Sequence, residues 1–376
     1  MTRHQKGYVY KRGSWWFVRF YDSVMQEDGS VKRVQVARRV APYCEEYHSK
    51  RAVTPLAEEF LLPLNNGTLT PEGTMTLGKF VEESYLPHAA TQRRASTYRG
   101  YKAIWEDYLK PRCCDVRLRE FRTCDGEKLL ADIARQRTLS RSTLKRIKSL
   151  LSGVFKHAKR IGTLNGTNPI QDVSIPKAAE GQETYAYSLE EVTKMLSVLP
   201  EPASTVVATA AFTGMRKGEL RGLLWENYNG TEIRVTQSVW ESIVTEPKTR
   251  KSKAPIPVIA PLAQKLNAHR FRLGNPEKGY VFPSSTGTPL NFANLANREI
   301  KPVLAKGELK WHGWHAFRRG LATNLNRLGN ADKTIQAILR HADLSTTMNS
   351  YVKAVSADSV AAMLSFERLC TQNAPN

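Results

Sequence analysis

Residues 315–351 read HAFRRGLATNLNRLGNADKTIQAILRHADLSTTMNSY. The segment begins with His315 and Arg318, which are three residues apart, and ends with His341 and Tyr351, which are ten residues apart. Positions i and i+3 of a helix share one face, so we expect His315 and Arg318 to point at a common ligand. A guanidinium, two imidazoles and a phenol in one segment indicate phosphate chemistry with a tyrosine nucleophile.

The sequence upstream of this segment alternates between helical and strand-like patterns. Ser188 and Glu191 form a capping box, which predicts a helix start, and Gly214 marks the end of the next helix. Strand-like stretches are expected at 232–236, 239–244 and 254–259, and helices at 261–271, 291–306 and 314–328. The last two strands are expected to flank a polar, basic hairpin tip at 246–253. Residues 183–376 should therefore be mainly helical, with a small β-sheet.

The N-terminal residues combine strand signals with interleaved aromatic and basic side chains. Residues 7–12 and 15–21 flank a turn at Gly13-Ser14, and a third strand is expected over 31–40. The candidate DNA contacts are Lys11, Arg12 and Arg19 of the first two strands, with Lys32, Arg33, Arg38 and Arg39 around the third. Two interpretations stay open: the sheet lies against DNA, or it is an ordinary antiparallel sheet with one basic face.

A helical region follows a linker-like break. The break spans 62–73, which is rich in Pro, Asn and Gly, and apolar residues then recur at helical spacing over 76–170. Within this region, Arg141, Lys145 and Lys148 lie at i, i+4 and i+7 and share one helical face. That face suits contacts with a duplex backbone, and the alternative is an ordinary solvated face.

Together these patterns predict a multidomain α+β chain. Residues 1–70 are expected to form a small antiparallel β domain, residues 71–178 an all-α helical bundle, and residues 183–376 a mainly α domain with a small sheet. With 376 residues, 41% of them hydrophobic, the chain is long enough for several separate cores.

Charge is the most informative property of the composition. Lys and Arg number 56 against 35 Asp and Glu, which gives a net charge of +21 and a pI near 9.8. Basic residues outnumber acidic ones in each of the segments 1–70, 71–180 and 181–376. An excess spread this widely indicates a polyanionic partner and favours nucleic acid.

Other classes of protein and site are disfavoured. The chain has no run of about 18 apolar residues and its first residues lack the apolar core of a signal peptide, so we expect a soluble, cytoplasmic protein that binds no membrane. Its five cysteines include no CxxC pair, and no metal-binding cluster or Gly-rich nucleotide fingerprint is present. We therefore expect no metal, disulfide framework or cofactor.

Three motifs and a lysine carry a family resemblance. Residues 213–223, TGMRKGELRGL, resemble the first arginine motif of tyrosine recombinases, the phage integrase family. Residues 315–319, HAFRR, resemble the H-x-x-R box of that family, and residues 339–351 resemble its final His-to-Tyr box. Lys248 at the hairpin tip falls where the family places its catalytic lysine. The alternatives for that lysine are Lys251 and Lys253.

The resemblance also implies a domain plan. Residues 1–70 would be an arm-type DNA-binding domain with its connector, residues 71–178 a helical, SAM-like core-binding domain, and residues 183–376 the catalytic domain. A tail helix over 354–369 would dock on a neighbouring protomer, or alternatively pack on its own domain. Relatives usually carry Gly where this chain has Arg340, so the helix that ends there is expected to use another cap.

Transesterification gives each motif residue a chemical role. Tyrosine has a reference pKa near 10, so only about one phenol in a thousand is ionised at pH 7. Tyr351 therefore needs His315 as a base or proton acceptor in order to attack a phosphodiester. Lys248 would protonate the departing 5′-oxygen, and His341 would donate a hydrogen bond to the phosphate.

Two arginines complete the expected site. Arg216 and Arg318 would hold the non-bridging oxygens through charge-assisted, fork-like hydrogen bonds. Glu219 would orient an arginine rather than react. Since the phosphotyrosine link conserves bond energy, neither ATP nor a metal ion is required.

The expected function is that of a site-specific DNA recombinase, the integrase of a prophage or another mobile element. The resemblance implies double-stranded attachment sites and a synaptic tetramer as partners, with a DNA-bending host factor and an excision factor as further candidates, on the bacterial nucleoid. Three alternatives stay open: an excision or dimer-resolving recombinase, a topoisomerase of the same chemistry, and a regulatory DNA-binding protein with idle catalytic residues.

Overall fold

The computed structural model describes residues 4–26, 28–179, 184–247 and 254–340. The chain divides into two compact units, residues 1–182 and residues 183–376. The first contains an antiparallel sheet and a helical bundle, and the second is mainly helical with two small sheets. The predicted α+β class is confirmed. None of the described helices is both long enough and apolar enough to cross a membrane.

The first unit begins with a three-stranded antiparallel sheet in the order β1-β2-β3. Its strands are β1 (Tyr8–Arg12), β2 (Trp15–Met25) and β3 (Val31–Pro42). Residues alternate along β2, so Trp16, Val18 and Phe20 are buried while the residues between them face outward. The buried face packs on the apolar side of one helix, α1 (Lys50–Asn65). This sheet and helix share one small core.

Helix α1 was missed by the sequence analysis, and part of the predicted break was wrong. The helix runs to Asn65, so it includes residues 62–65 of the segment assigned to a linker. Pro55 and Pro63 lie inside it and interrupt the helical pattern, because proline lacks the N–H that an interior position donates. The Ser49 hydroxyl nevertheless caps its start by accepting from the Ala52 N–H at 3.3 Å.

Helices form the rest of the first unit. They are α2 (Leu77–Phe80), α3 (Leu86–Gln92), α4 (Ala95–Ile104), α5 (Lys110–Cys113), α6 (Thr123–Gln136) and α7 (Arg141–Arg160). A π-helical turn joins α2 to α3 and another joins α4 to α5, so each pair forms one longer helix. The long α7 runs through the core with eight buried residues. Ile170 and Val173, beyond α7, are buried in the same core.

Polar contacts tie the sheet to the bundle within this unit. Asp22 and Arg119 form an ion pair whose side chains are only 7% and 6% exposed. The Met25 N–H donates to the hydroxyl of Thr74 at 2.9 Å, at the start of the bundle. Removing either partner would leave the other charge buried and unpaired, so Asp22 and Arg119 depend on each other across the contact between sheet and bundle. The division of the unit into domains 1–70 and 71–178 stays a prediction.

The second unit is built around a helix that is buried almost throughout. Its helices are α8 (Leu189–Val198), α9 (Ala203–Thr213), α10 (Lys217–Arg221), α11 (Ala260–Arg272), α12 (Phe292–Leu295), α13 (Lys301–Lys306), α14 (Trp314–Arg327) and α15 (Asp332–Leu339). The small, apolar α9 packs against α8, α11 and α14. The capping box predicted at Ser188 and Glu191 is confirmed at the start of α8.

The strands of the second unit pair differently from the prediction. They are β4 (Glu232–Ile233), β5 (Ser238–Trp240), β6 (Ile243–Thr245) and β7 (Ile256–Pro257). β5 pairs with β6 and β4 pairs with β7, so the predicted hairpin between 239–244 and 254–259 is wrong. A tight turn divides 239–244, with Glu241 at a φ of 53°. Its sequence contains none of the Gly or Asn residues that usually signal such a turn.

Candidate active site

Arg216 is positioned by the end of the buried helix α9. The chain leaves that helix at Gly214, whose φ of 59° is readily adopted by glycine. A Cβ at Gly214 would lie 2.9 Å from Leu339 Cδ2, so the glycine also permits close packing of α15. Met215, the next residue, is buried, and Arg216 is the N-cap residue of α10. This sharp exit leaves the Arg216 side chain about one third exposed.

Glu219 anchors Arg216 from one turn further along α10. Its carboxylate accepts from Arg216 Nη1 at 2.7 Å and from the Arg216 backbone N–H at 3.0 Å. The side chain of Glu219 is only 3% exposed. Burial raises the pKa of this carboxyl, but the charges of Arg340 and Arg216 and their hydrogen bonds outweigh it and hold the pKa below the ordinary value. Glu219 is therefore an anion that fixes the arginine.

Arg318 is held inside the protein by backbone carbonyls. It lies on α14, is 3% exposed, and donates from Nη1 to the carbonyl of Gly214 at 2.5 Å. Its Nη2 donates to the carbonyl of Leu339, at the end of α15. Burial, together with the nearby charge of Arg216, lowers the pKa of this guanidinium to about 9, which keeps it protonated at neutral pH. Arg318 thus joins the ends of α9 and α15.

Helix α14 can approach its neighbours because it contains Gly320. A Cβ at that position would overlap the carbonyl oxygen of Tyr187, and the Tyr187 N–H donates to the carbonyl of Ala316 at 3.3 Å. These contacts hold the turn of α14 that carries His315 and Arg318 against the segment before α8.

His315 stands one helical turn before Arg318, as predicted from their spacing. Its side chain is exposed, yet desolvation by the surrounding protein lowers its pKa, and the positive charges of Arg318, Arg319 and Arg216 lower it further. The imidazole is therefore mainly neutral at pH 7, because even its ordinary pKa is near 6.5. A neutral imidazole can accept a proton.

Arg340 is the site residue that the sequence analysis did not assign. It ends α15 in the left-handed conformation with a φ of 56°, at the position where the family resemblance led us to expect Gly. Its side chain is 1% exposed, and Nη2 donates to Glu219 at 2.9 Å. The departure from glycine was the signal in the sequence, but only the fold shows that the guanidinium turns inward to Glu219.

The structure thus brings together four of the predicted site residues, Arg216, Glu219, His315 and Arg318, with mutual electrostatic effects. The other predictions fall outside the described residues. These are Lys248 with its alternatives Lys251 and Lys253, His341, Tyr351 and the tail helix over 354–369. In the described ranges, no group of three His, Cys, Asp or Glu side chains is arranged to hold a metal ion.

The candidate DNA contacts of the first unit differ in exposure. Lys11, Arg12, Arg19, Arg141 and Lys145 are exposed. Lys148 is half-buried and donates to the carbonyls of Gln171 at 3.2 Å and Val173 at 2.6 Å, so it holds the chain after α7 in place.

The outward face of the sheet carries arginines stacked on aromatic rings. Arg19 lies 5.0 Å from the ring centre of Tyr10, Arg33 lies 4.7 Å from that of Tyr21, and Arg39 lies 4.3 Å from that of Trp15. Such stacking orders the long side chains without neutralising them. The face is therefore a preformed, positively charged surface.

Comparison with known proteins identifies a matching family model and several sequence relatives. Residues 188–357 match the phage integrase family model. The tyrosine recombinase XerC-like protein of Caldanaerobacter subterraneus subsp. tengcongensis is 25% identical over 341 residues, which cover 82% of this chain and 86% of that protein. The tyrosine recombinase XerC of Treponema denticola is 24% identical over 295 residues, with 71% and 92% covered.

Solved structures share the fold at lower identity. The Tn1549 transposon integrase in complex with transposon right end DNA superposes with a TM-score of 0.64 at 20% identity, over 79% of this chain and 100% of that chain. A lambda integrase dimer bound to a COC′ core site gives a TM-score of 0.60 at 16% identity, over 91% of this chain and 93% of that chain.

Proposed function

We propose that this chain is a tyrosine recombinase of the phage integrase family, an enzyme that breaks and rejoins DNA site-specifically through a covalent 3′-phosphotyrosine at Tyr351. The match of residues 188–357 to the family model and the similarity to tyrosine recombinases support this proposal. The observation that carries this proposal is the convergence of Arg216, Arg318 and a neutral His315 in one site. Two guanidiniums suit the negative non-bridging oxygens of a pentacovalent phosphorus, and the imidazole suits the phenolic proton.

The proposed cleavage step conserves atoms and charge. The Tyr351 oxygen bonds to the scissile phosphorus as its proton passes to His315, and the bond from phosphorus to the 5′-oxygen breaks. Lys248 donates a proton to that departing oxygen, since an alkoxide is a poor leaving group. His341 donates a hydrogen bond to the phosphate. The reverse reaction, with a 5′-hydroxyl of another strand as the nucleophile, rejoins the DNA.

We infer that the substrate is a pair of double-stranded attachment sites, brought together by several copies of this chain. Two similar structures are named as integrases in complex with DNA, and a lambda integrase structure is a tetramer bound to a Holliday junction. The net charge of +21 suits duplex DNA as the partner. Integration of a phage or another mobile element is the favoured outcome. An excision or dimer-resolving recombinase is the second candidate, and the XerC names of the sequence relatives favour a Xer-type recombinase.

Covalent trapping tests the proposed function. The wild-type chain is incubated with duplexes from the DNA on either side of its gene, each nicked close to a candidate cleavage position so that the short 5′-hydroxyl fragment is lost. We expect a protein–DNA complex that survives denaturation and carries the label of the 3′-phosphate strand. If none of these nicked duplexes yields such a complex, the proposed DNA-cleaving activity is refuted.

A second assay separates the candidate activities. Two intact sites are offered in one reaction, and the products are compared with those from a single supercoiled plasmid. Joint products from two different sites support integration, and joint products from identical sites support dimer resolution. Relaxation of one plasmid without joint products supports a topoisomerase and contradicts a recombinase.

We also propose that the arginine-bearing face of the N-terminal sheet contacts DNA phosphates. Arg19 lies on β2, Arg33 and Arg39 lie on the neighbouring β3, and each of the three is held against an aromatic ring. Three guanidiniums on a flat face suit a polyanion better than an ordinary solvated surface does, because their side chains are ordered before binding.

Charge neutralisation on the sheet tests this contact. The triple variant Arg19→Gln, Arg33→Gln, Arg39→Gln is expected to bind DNA more weakly, and the slope of log affinity against log salt should fall by about 0.9 for each lost phosphate contact. The matched control neutralises three exposed cations on the helices, Lys102, Arg122 and Arg135. An unchanged slope in the sheet variant, or an equal change in the control, would refute a specific role for the sheet.

A further inference from the structure

Arg340 occupies its position against two unfavourable terms. A φ of 56° disfavours a long L side chain, and a guanidinium that is 1% exposed loses its hydration. Glycine at this helix end would avoid both costs. The hydrogen bond from Arg340 Nη2 to Glu219 at 2.9 Å is a specific, charge-assisted interaction that offsets them.

Glu219 is shared between two arginines with different surroundings. One carboxylate oxygen accepts from Arg216 Nη1 at 2.7 Å, and the other accepts from Arg340 Nη2 at 2.9 Å and from the Arg216 N–H at 3.0 Å. The Arg216 side chain is about one third exposed, while that of Arg340 is enclosed. The carboxylate therefore connects an outer arginine to an inner one.

We propose that Arg340 is a positioning residue for strand cleavage: by pairing with Glu219 it keeps that carboxylate ionised and oriented, so that Arg216 keeps its direction toward the scissile phosphate. The inference rests on the proposed function, since it assigns Arg216 to the phosphate. Arg340 acts through Glu219 and need not touch DNA.

The charges of the site support this role. Arg216, Arg318 and Arg340 surround the single carboxylate of Glu219, so two positive charges remain in excess among these four residues. Without Arg340 the carboxylate would be opposed mainly by Arg216, and only one positive charge would remain. A pentacovalent phosphorus carries more negative charge than the starting diester, so the loss should slow cleavage more than it weakens binding.

The pH dependence provides a readout that a purely structural role would not change. The groups around Glu219 are Arg216 on its own helix, Arg318 and His315 on α14, and Arg340 at the end of α15. Burial raises the pKa of Glu219, and the largest opposing cause is the charge of Arg340. Removal of Arg340 should therefore raise the pKa of Glu219. As the solution is acidified, the Arg340 variant should begin to lose cleavage rate at a higher pH than the wild-type chain does. Protonation of Glu219 would instead lower the pKa of His315, because the negative charge of Glu219 raises the pKa of that imidazole.

The experiment measures single-turnover cleavage of the nicked duplex, DNA affinity and thermal stability across pH. Arg340→Met keeps the length and removes the charge, and it is expected to slow cleavage about 10-fold to 100-fold with little change in affinity. The deficit should grow as the pH falls. Arg340→Lys, which restores the charge, should recover most of the rate. In a Glu219→Gln background, adding Arg340→Met should cost much less, because no carboxylate remains to be neutralised.

Several results would overturn the inference. These are wild-type cleavage by Arg340→Met, an equal loss in the wild-type and Glu219→Gln backgrounds, or a loss that is uniform across pH and not rescued by lysine. If the wild-type chain itself forms no covalent complex, the proposed function falls, and this inference falls with it. The wild-type reaction in the same assay distinguishes the two failures.

Discussion

Replacement of Tyr351 by phenylalanine is expected to abolish the covalent complex with nicked DNA while leaving DNA affinity unchanged. Phenylalanine keeps the ring but has no oxygen to attack phosphorus, and the two arginines of the site can still hold the phosphate. The measurement is denaturing electrophoresis of the labelled 3′-phosphate strand, beside a binding titration of the same duplex. Because this substitution removes only the phenolic hydroxyl group, any loss of the covalent complex can be assigned to that group.

A matched variant guards this result against nonspecific effects. Tyr280→Phe makes the same change at a half-buried tyrosine of the second unit that the candidate site does not include, and it should leave trapping intact. A covalent complex that persists in Tyr351→Phe would mean that another side chain is the nucleophile. Loss of both trapping and affinity would instead assign Tyr351 to binding.

Local patterns predicted much of the second unit because they act over one or two helical turns. The three-residue step from His315 to Arg318 placed both on one turn of α14, and the Ser188–Glu191 box gave the start of α8. Gly214 ended α9 as expected, in the left-handed conformation. In each case the determining interaction joins residues close in sequence, so the sequence alone contains the information.

Pairings between distant residues could not be predicted in the same way. β7 pairs with β4, some twenty-four residues upstream, rather than with the adjacent strand-like stretch, and the turn at Glu241 carries no glycine signal. Pro55 and Pro63 concealed α1, which is stabilised by packing on the sheet despite them. Tertiary burial outweighed local preference in both places.

The same reasoning explains why the arginine network was only half predicted. Glu219 was expected to orient an arginine, and its contact with Arg216 spans three residues of sequence. Its contact with Arg340 spans 121 residues, and Arg318 reaches the Gly214 carbonyl across 104. A motif comparison treats Arg340 as a departure from glycine. The fold shows that Arg340 adds a buried cation beside Glu219.

Substitution of Arg216 by lysine is expected to slow cleavage roughly 100-fold to 1000-fold, in the range found when one preorganised donor to a developing oxyanion is lost. Lysine keeps the charge and can still pair with Glu219, but a single ammonium cannot reproduce the planar fork that donates to two acceptors at once. DNA affinity should hold, because the long-range charge is unchanged. Rates come from single-turnover cleavage and affinities from titration, with Arg272→Lys as the control at a surface pair with Glu201. An equal loss of affinity and rate would show that Arg216 binds the ground state, and the difference between the two losses measures what the guanidinium contributes to the transition state alone.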